Sequence, residues 1–233
     1  VQGGIKNDTV KMKVWVDANH PVIHIEIGST IPRTVVATIE PWRTERIRIP
    51  EVTTSDTFED RSKPNKLRED VYVDPDVIIE SLDNRIGWYH FAKEKSHAQE
   101  LITIQGLDAA FENVPDPLLN RVFGAIVTTN NGTRLNEHTL QTQNKKSIQF
   151  HVHVLTEHPT TPENWLALIN AQIDSVSETT DTWKAHKMWW DKFWNRSWIE
   201  VSNSEEGEFV SKAYALQRYI DTLSDLTFYV NEV

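Results

Sequence analysis

Two histidines point to the same side of a predicted strand in the stretch FHVHV. His151 and His153 are two residues apart, and side chains alternate between the two faces of a strand, so both imidazoles face the same way. Such a pair can supply two ligands to a metal ion. The sequence fixes no third ligand, because His158 falls beyond the strand in a predicted loop.

The same strand also has an interpretation without a metal. Phe150, Val152 and Val154 then face the core, and the two histidines face outward from a half-exposed strand. His186 lies among tryptophans and is expected to be a packed or surface histidine of a helix rather than a catalytic one. We therefore predict no metal site and no cofactor.

Aromatic residues stand next to polar residues in two further stretches, EPWRTE and NRIGWYH, each at a predicted strand end. A ring that stacks on a sugar, combined with side chains that make paired hydrogen bonds, can bind a polyol. The alternative is that the aromatic side chain closes the end of the fold while Arg43 pairs with a nearby acid. The candidate carbohydrate-binding residues are Trp42, Arg43, Trp88 and His90.

No catalytic residue is predicted. Glycosidases need two carboxylates held at a set distance, and the sequence does not fix the distance between any two of its acidic residues. Asp74, Asp76 and Asp116 adjoin prolines and are expected to be turn residues. The chain contains no G-x-S-x-G, no glycine-rich phosphate loop and no H-E-x-x-H motif.

The composition limits the classes of partner. No apolar run approaches the roughly 18 residues that a membrane-spanning helix needs. The net charge of −10 disfavours nucleic acid and anionic membrane surfaces. The absence of cysteine excludes disulfides and zinc-thiolate sites. Neutral oligosaccharides or polysaccharides remain compatible with this charge.

The elements that must position these residues are mostly strands. From Val10 to about Leu155, short runs of β-branched and aromatic residues alternate with turn-forming stretches, which is typical of an antiparallel β-sandwich. DANHP is expected to join the first two strands as a hairpin, and Asn130-Asn131-Gly132 to form a turn. Thr53 to Asp70 is predicted to be a polar loop. The predicted strands are KMKVWV, VIHIEI, TVVATIE, ERIRI, DVYV, DVIIE, IGWYHFA, LITIQ, RVFGAIVTT and SIQFHVHVL.

Helical periodicity follows after Glu157. Thr161-Pro162-Glu163 offers a cap, a proline at the first helical position and an early acid, which predicts a helix over ENWLALINAQIDS. A second helix is predicted from about Asp181 to Asn195 and a third from about Glu205 to Thr222. The fold class is therefore mainly β with α, an antiparallel sandwich followed by two or three helices.

The second helix carries four tryptophans on one face, namely Trp183, Trp189, Trp190 and Trp194. Each buried tryptophan removes about 150 to 250 Å² from water, so four exceed the apolar patch of about 300 to 600 Å² that a typical monomer exposes. This face must therefore be covered, and stacking of the rings against a sugar is the alternative to such a structural role.

We expect the tryptophan face to fold back on the sandwich in a monomer, with Trp190 and Trp194 packed on the strands. An intramolecular contact avoids the association cost of about 4 to 15 kcal/mol. A dimer through the tryptophan face is the alternative. A residual apolar patch is expected around Trp198 and the third helix.

Several stretches together resemble an uncharacterised bacterial family, a domain of unknown function of the 5703 type. Full-length members look like glycoside hydrolases in which a supersandwich-like β-domain and a helical linker precede a toroid of paired helices, similar to α-L-fucosidases and disaccharide phosphorylases. The resemblance covers about Val10 to Ile220. It rests on WVDANHPVIHIEI, IEPWRTE, NRIGWYH, LLNRVFGAIV, FHVHVLTEH, TPENW, WWDKFWNRSWIEVS and YALQRYI.

The resemblance implies a division into a β-sandwich over residues 1–157, lacking its first strands, and a helical linker with the start of a truncated toroid over residues 158–233. The catalytic carboxylates of related hydrolases lie in the toroid, so this chain is expected to be a non-catalytic part of a periplasmic or secreted carbohydrate-active protein. A free-standing carbohydrate-binding module is the alternative. The domain-interface residues implied are Trp183, Trp189, Trp190, Trp194 and Trp198.

Overall fold

The computed structural model describes residues 2–5, 8–48, 72–94, 96, 98, 102, 106–110, 115–177 and 181–229. Within these ranges, strands are followed by helices, so the fold is mainly β, as predicted. The strands are β1 (Gln2–Ile5), β2 (Asp8–Val16), β3 (Val22–Arg33), β4 (Val36–Thr38), β5 (Ile47–Arg48), β6 (Tyr72–Val73), β7 (Val77–Ile78), β8 (Ile86–Ala92), β9 (Arg121–Thr129), β10 (Thr133–Asn136), β11 (Thr139–Gln141) and β12 (Lys145–Glu157). The helices are α1 (Pro162–Ser177), α2 (Thr182–Trp194) and α3 (Glu205–Tyr229).

Seven antiparallel strands form the main sheet in the order β1-β2-β3-β12-β9-β8-β7. β2 and β3 form the hairpin expected around DANHP, and Trp15 lies opposite His24 in its register. β12 is the central strand and pairs with β3 on one side and β9 on the other.

One face of the main sheet packs against a small sheet of β10, β11 and β4. The apolar core on this side contains Leu140 from the small sheet together with Ile27, Ile86 and Phe150 from the main sheet. Because side chains alternate along each strand, the same strands also present residues to the opposite face. The packed pair of sheets confirms the predicted sandwich.

The opposite face of the main sheet carries α1. Trp165 is fully buried against this face, in a core that includes Val122 and Ile126. Its indole Nε1 donates to the carbonyl of Leu155 at 3.1 Å, which satisfies the polar atom of the ring. The helix begins as predicted, because the Thr161 hydroxyl accepts from the backbone N–H of Asn164 at 3.2 Å.

The prediction for β12 is confirmed for Phe150, which lies in the core, but it is wrong for Val154 and for the histidines. His153 is 3% exposed and His151 is half-buried, whereas Val154 is 39% exposed and Val152 is only half-buried. Around the histidines, helices cover the face of the sheet that carries them, so His153 is shielded from solvent there. The apolar core on the opposite face takes in Phe150, but Val154 lies outside it.

Other expectations differ in extent. α3 continues to Tyr229, beyond the predicted end at Thr222. The short hairpin of β10 and β11 follows a turn in which Asn131 has a positive φ of 56°, and its strands were not predicted. The strand predicted at LITIQ, apart from Ile102, and the loop Thr53 to Asp70 lie outside the described residues. No described helix is long and apolar enough to cross a membrane.

Candidate functional site

A buried carboxylate joins two of the residues predicted to bind carbohydrate. The Oδ1 atom of Asp76 accepts from Arg43 Nε at 2.7 Å and lies 3.1 Å from His90 Nδ1. The Asp76 side chain is 6% exposed, and its backbone N–H donates to the carbonyl of Arg43 at 2.8 Å. Arg43 is thus held by both the backbone and the side chain of Asp76, in a bond strengthened by charge.

Aromatic rings complete this group, which we call the Asp76 cluster: Arg43, Asp76, Trp88, His90 and Phe123. The Phe123 ring lies 5.1 Å from the His90 ring, 6.1 Å from the Trp88 ring and 5.5 Å from the Arg43 guanidinium carbon. β8 supplies Trp88 and His90, and the register places His90 opposite Phe123 of β9. The cluster therefore fixes the orientation of Arg43.

The neighbour of Arg43 in the chain projects into solvent. Trp42 is 93% exposed, although a free tryptophan ring is among the most apolar groups that a surface can carry. The structure thus brings Arg43, Trp88 and His90 together around Asp76 and Phe123, with Trp42 attached to the cluster through the backbone. Sequence reasoning missed two members of the cluster: Asp76, which we predicted to be a turn residue, and Phe123.

The histidines that suggested a metal lie elsewhere, in a second group that we call the histidine cluster. Its members are Asp17, His20, His24, His151, His153 and His186. The Nδ1 atoms of His24 and His151 lie 2.9 Å apart, and His153 Nε2 lies 3.2 Å from the Thr128 hydroxyl. His186 of α2 accepts the backbone N–H of Ala18 at its Nδ1 atom, at 3.2 Å. The cluster therefore connects α2 to the sheet.

Asp17 is the only acid of the histidine cluster, and its side chain is fully buried. Its Oδ2 atom lies 2.9 Å from His20 Nδ1 and 3.6 Å from His24 Nε2, and its Oδ1 accepts from the backbone N–H of Asn19. Burial opposes ionisation of Asp17, but these contacts outweigh it and lower the pKa to about 2. Asp17 is therefore a carboxylate at neutral pH.

The two imidazoles on β12 favour their neutral form, whereas Asp17 favours its charged form. Burial is the cause, because it disfavours a charged imidazole. Burial, reinforced by the neighbouring His24, lowers the pKa of His151 to about 4. Burial, reinforced by His151 and His24, lowers the pKa of His153 to about 4. Burial also lowers the pKa of His186. Both histidines of FHVHV are thus neutral at pH 7, and within the described residues no group of three or more His, Asp or Glu side chains is placed to hold a metal ion.

The tryptophans of α2 stack mainly on one another. The aromatic face, which we define as Trp189, Trp190, Phe193, Trp194, Trp198 and Tyr219, forms a continuous chain of ring contacts with centroids 4.9 to 6.2 Å apart. Arg218 of α3 lies over this chain, with its guanidinium carbon 4.5 Å from the Phe193 ring. It also donates to the carbonyls of Phe193 and Ser197 at the end of α2.

The first turns of α2 make the contacts with the sandwich. Trp183 and His186 lie against Trp15 of β2, at centroid distances of 4.9 Å for both pairs. The ring contacts of Trp190 and Trp194 are instead with α2, with Trp198 and with Tyr219 of α3, so the expectation that these two rings pack on the strands is wrong. The contacts of α2 with the sheet are thus made by its N-terminal turns, and no residue of α2 is buried.

A large apolar surface remains open around α2 and α3. The exposed fraction is 66% for Trp198, 72% for Phe209, 61% for Met188 and 59% for Leu216. Such patches on soluble proteins mark sites of contact with another body. The exposed apolar side chains expected around Trp198 and the third helix are thus present, and Trp198 also belongs to the aromatic face.

These features define an antiparallel β-sandwich that carries a helical extension with an open aromatic surface. The model of the N-terminal domain of the family called Domain of unknown function (DUF5703) matches residues 1–199, and the chain belongs to this family. The match ends between α2 and α3. No curated protein and no solved structure matches the chain.

Proposed function

We propose that this chain is the non-catalytic sandwich and linker of a carbohydrate-active protein, and that its aromatic face docks a helical catalytic domain. The observation that carries the proposal is the state of α2, which has stacked aromatic rings along its length and no buried residue. A helix of this kind gains its stability from tertiary contacts. The sandwich covers its first turns and α3 contacts its later turns, and a further body would cover the rings that stay partly exposed.

A helical domain suits this surface for two reasons. The exposed residues lie on two helices, and apolar ridges on helices pack into the grooves of other helices. The family model that matches residues 1–199 is that of an N-terminal domain, which is consistent with a partner domain after the linker. The resemblance to hydrolases with a helical toroid supplies the remaining support, because their catalytic carboxylates lie in that toroid.

A binding experiment tests the docking. The helical domain of a family member is produced separately, and its affinity for this chain is measured by calorimetry. We expect Trp190→Ser combined with Phe209→Ser to weaken binding at least tenfold, because hot spots in interfaces are apolar and aromatic. Trp42→Ser, an exposed tryptophan outside the aromatic face, is the matched control and should leave the affinity unchanged. Wild-type affinity in the double variant would refute docking.

An enzyme assay tests the second half of the proposal. We expect no turnover of aryl fucosides, galactosides or glucosides by the purified chain, since the proposal places the catalytic carboxylates in the partner domain. Turnover that is abolished when one carboxylate of this chain is changed would contradict the proposal.

A carbohydrate-binding module is the second candidate, and the exposure of Trp42 favours it. An exposed indole beside an oriented guanidinium offers a stacking surface and a bidentate donor to one sugar. Glycan-array screening followed by calorimetry tests this candidate. Trp42→Ala and Arg43→Met should each weaken binding, whereas Trp198→Ala, which removes an exposed tryptophan elsewhere, should not.

A further inference from the structure

An open cleft with both polar and apolar lining lies on the main sheet, where Lys13 reaches Trp183 in the first turn of α2, and its lining shares no residue with the Asp76 cluster or the aromatic face. Its volume is about 590 Å³, within the range of about 300 to 1,000 Å³ that is typical of ligand sites. The polar and charged side chains of its lining are Gln2, Lys11, Lys13, Glu26, Ser147 and Gln149.

The strand registers arrange these side chains in two rows across β1, β2, β3 and β12. The first row places Lys11 opposite both Gln2 and Gly28, and Gly28 opposite Ser147. The second row places Glu26 between Lys13 and Gln149. Residues opposite one another in a sheet share a face, so each row forms one line of polar groups.

A glycine opens the floor of the cleft. Gly28 stands in the middle of the first row, and a Cβ atom added there would meet no other atom within 4 Å. The space above the backbone at this point is therefore free, and the backbone of β3 is accessible between Lys11 and Ser147. A side chain at this position would occupy part of the volume that a ligand could use.

The two lysines of the cleft differ in the contacts that they make. Lys13 pairs with Glu26 at 3.3 Å, and its Nζ atom lies 3.3 Å from the centroid of the Trp183 ring, so its position is fixed. Glu26 also accepts from the Trp15 indole at 2.8 Å. Lys11 is exposed, and no ion pair within the described part of the chain engages it.

The charge around the cleft opposes that of the whole chain. Two lysines and one glutamate line the cleft, a net charge of +1, in a protein whose net charge is −10. The exposed Lys145 and Lys146 precede Ser147 in the chain but do not line the cleft. A local concentration of cations in an acidic protein favours an anionic ligand. The amide and hydroxyl groups of Gln2, Gln149 and Ser147 favour a ligand rich in hydroxyls.

We propose that the cleft binds an acidic oligosaccharide, with a uronate carboxylate paired to Lys11 and sugar hydroxyls bonded to Gln2, Ser147 and Gln149. This inference rests on the proposed function in that it assumes a carbohydrate-active protein, and it names the substrate class. The fixed pair of Lys13 and Glu26 offers a donor and an acceptor on the opposite side of the cleft. Recognition depends on charge-assisted hydrogen bonds rather than on ring stacking, because Trp183 is already stacked with His186.

Calorimetry with three probes tests the site: an oligogalacturonide of three residues, cellotriose as a neutral sugar, and inorganic phosphate as a simple anion. We expect the oligogalacturonide to bind at least tenfold more tightly than the other two, with an affinity that falls as salt is added. Equal affinity for cellotriose would overturn the role of Lys11, and equal affinity for phosphate would overturn the role of the hydroxyl-binding groups.

Two variants locate the binding. Lys11→Gln removes the charge and should weaken oligogalacturonide binding about tenfold, and Gly28→Val fills the floor and should weaken it at least as much. Lys212→Gln, which changes an exposed lysine of α3, is the control and should bind like the wild type. Wild-type affinity in both cleft variants would overturn the proposal. Docking of the helical domain is measured separately, so a failure of this inference leaves the result for the aromatic face intact and distinguishable.

Discussion

The Nδ1 atoms of His24 and His151 lie 2.9 Å apart, so one ring donates a proton to the nitrogen lone pair of the other. Neither nitrogen can take up a further proton without breaking this bond. Because His151 is half-buried beside His153, its protonation would also place a charge where water solvates it poorly. We therefore expect the histidine cluster to make the stability of the fold depend on pH.

Acidification should destabilise the chain before its carboxylates titrate. The pKa values of His151 and His153 are about 4 in the fold and about 6.5 in the unfolded chain, so the unfolded state binds more protons between these values. The free energy of unfolding should therefore fall as the pH is lowered from about 6.5 to 4, by about 2 kcal/mol or more. Asp17 contributes mainly below this range, because its pKa is about 3.8 in the unfolded chain and about 2 in the fold, so the stability that it supplies is lost as the pH falls from about 4 towards 2.

Urea denaturation between pH 7.5 and 4 measures this effect. The double variant His151→Gln/His153→Gln should show a flatter dependence on pH, whereas His138→Gln, which changes a half-exposed histidine of the small hairpin, should keep the wild-type slope. An unchanged slope in the double variant would show that other groups carry the effect.

The β2–β3 hairpin could be predicted because its information is local. Alternation of side chains in KMKVWV and VIHIEI and the turn in DANHP suffice to set Trp15 opposite His24. The orientation of His153 could not be predicted, because it depends on which elements cover each face of the sheet. A buried imidazole satisfied by the Thr128 hydroxyl resembles an outward-facing one in the sequence.

The candidate carbohydrate-binding site could be predicted only in part, because some of its contacts join residues that are far apart in the sequence. Aromatic and polar neighbours marked Trp42, Arg43, Trp88 and His90, but Asp76 lies 33 residues from Arg43 and 14 from His90. Nothing in the Asp-Pro-Asp stretch distinguishes an acid that orders a turn from one that joins distant strands. Helical periodicity marked the aromatic face, but it does not show that Trp190 contacts Tyr219 of α3 rather than the strands.

Strands β8 and β9 approach each other closely at Gly124, so a methyl group added there should lower the free energy of unfolding by a large amount. A Cβ atom at Gly124 would lie 2.1 Å from the Trp88 carbonyl oxygen and 2.7 Å from the Cα atom of Tyr89. Both are backbone atoms, so Gly124→Ala must separate β8 from β9 and should reduce the free energy of unfolding by about 3 kcal/mol or more. Gly28→Ala, at an open position, should change it by less than about 0.5 kcal/mol. Equal costs in denaturant melts would contradict this register.

Arg218 should hold the end of α2 to α3. Its guanidinium donates to the carbonyl of Phe193, in the last turn of α2, and to the carbonyl of Ser197, just beyond the helix. Arg218→Gln should lower the local stability of residues 193–201 by about 1 to 2 kcal/mol, seen as faster amide exchange there, and should leave the strands unaffected. Lys212→Gln serves as the matched change on the same helix. Uniform exchange in both variants would show that the aromatic contacts alone fix the helix pair.

Trp165→Ala should lower the stability of the fold, whereas Trp42→Ala should affect ligand binding and leave the stability unchanged. Trp165 is fully buried and donates to Leu155, so Trp165→Ala removes both a hydrogen bond and a large part of the core and should cost about 3 to 5 kcal/mol. Trp42 is 93% exposed, so Trp42→Ala should change the free energy of unfolding by less than about 0.5 kcal/mol. If Trp42 is a sugar platform, the same substitution should abolish binding of any glycan found on an array. Because the folded structure is retained, loss of binding in Trp42→Ala can be assigned to the ring itself. Full binding by the Trp42→Ala variant would remove this residue from the site.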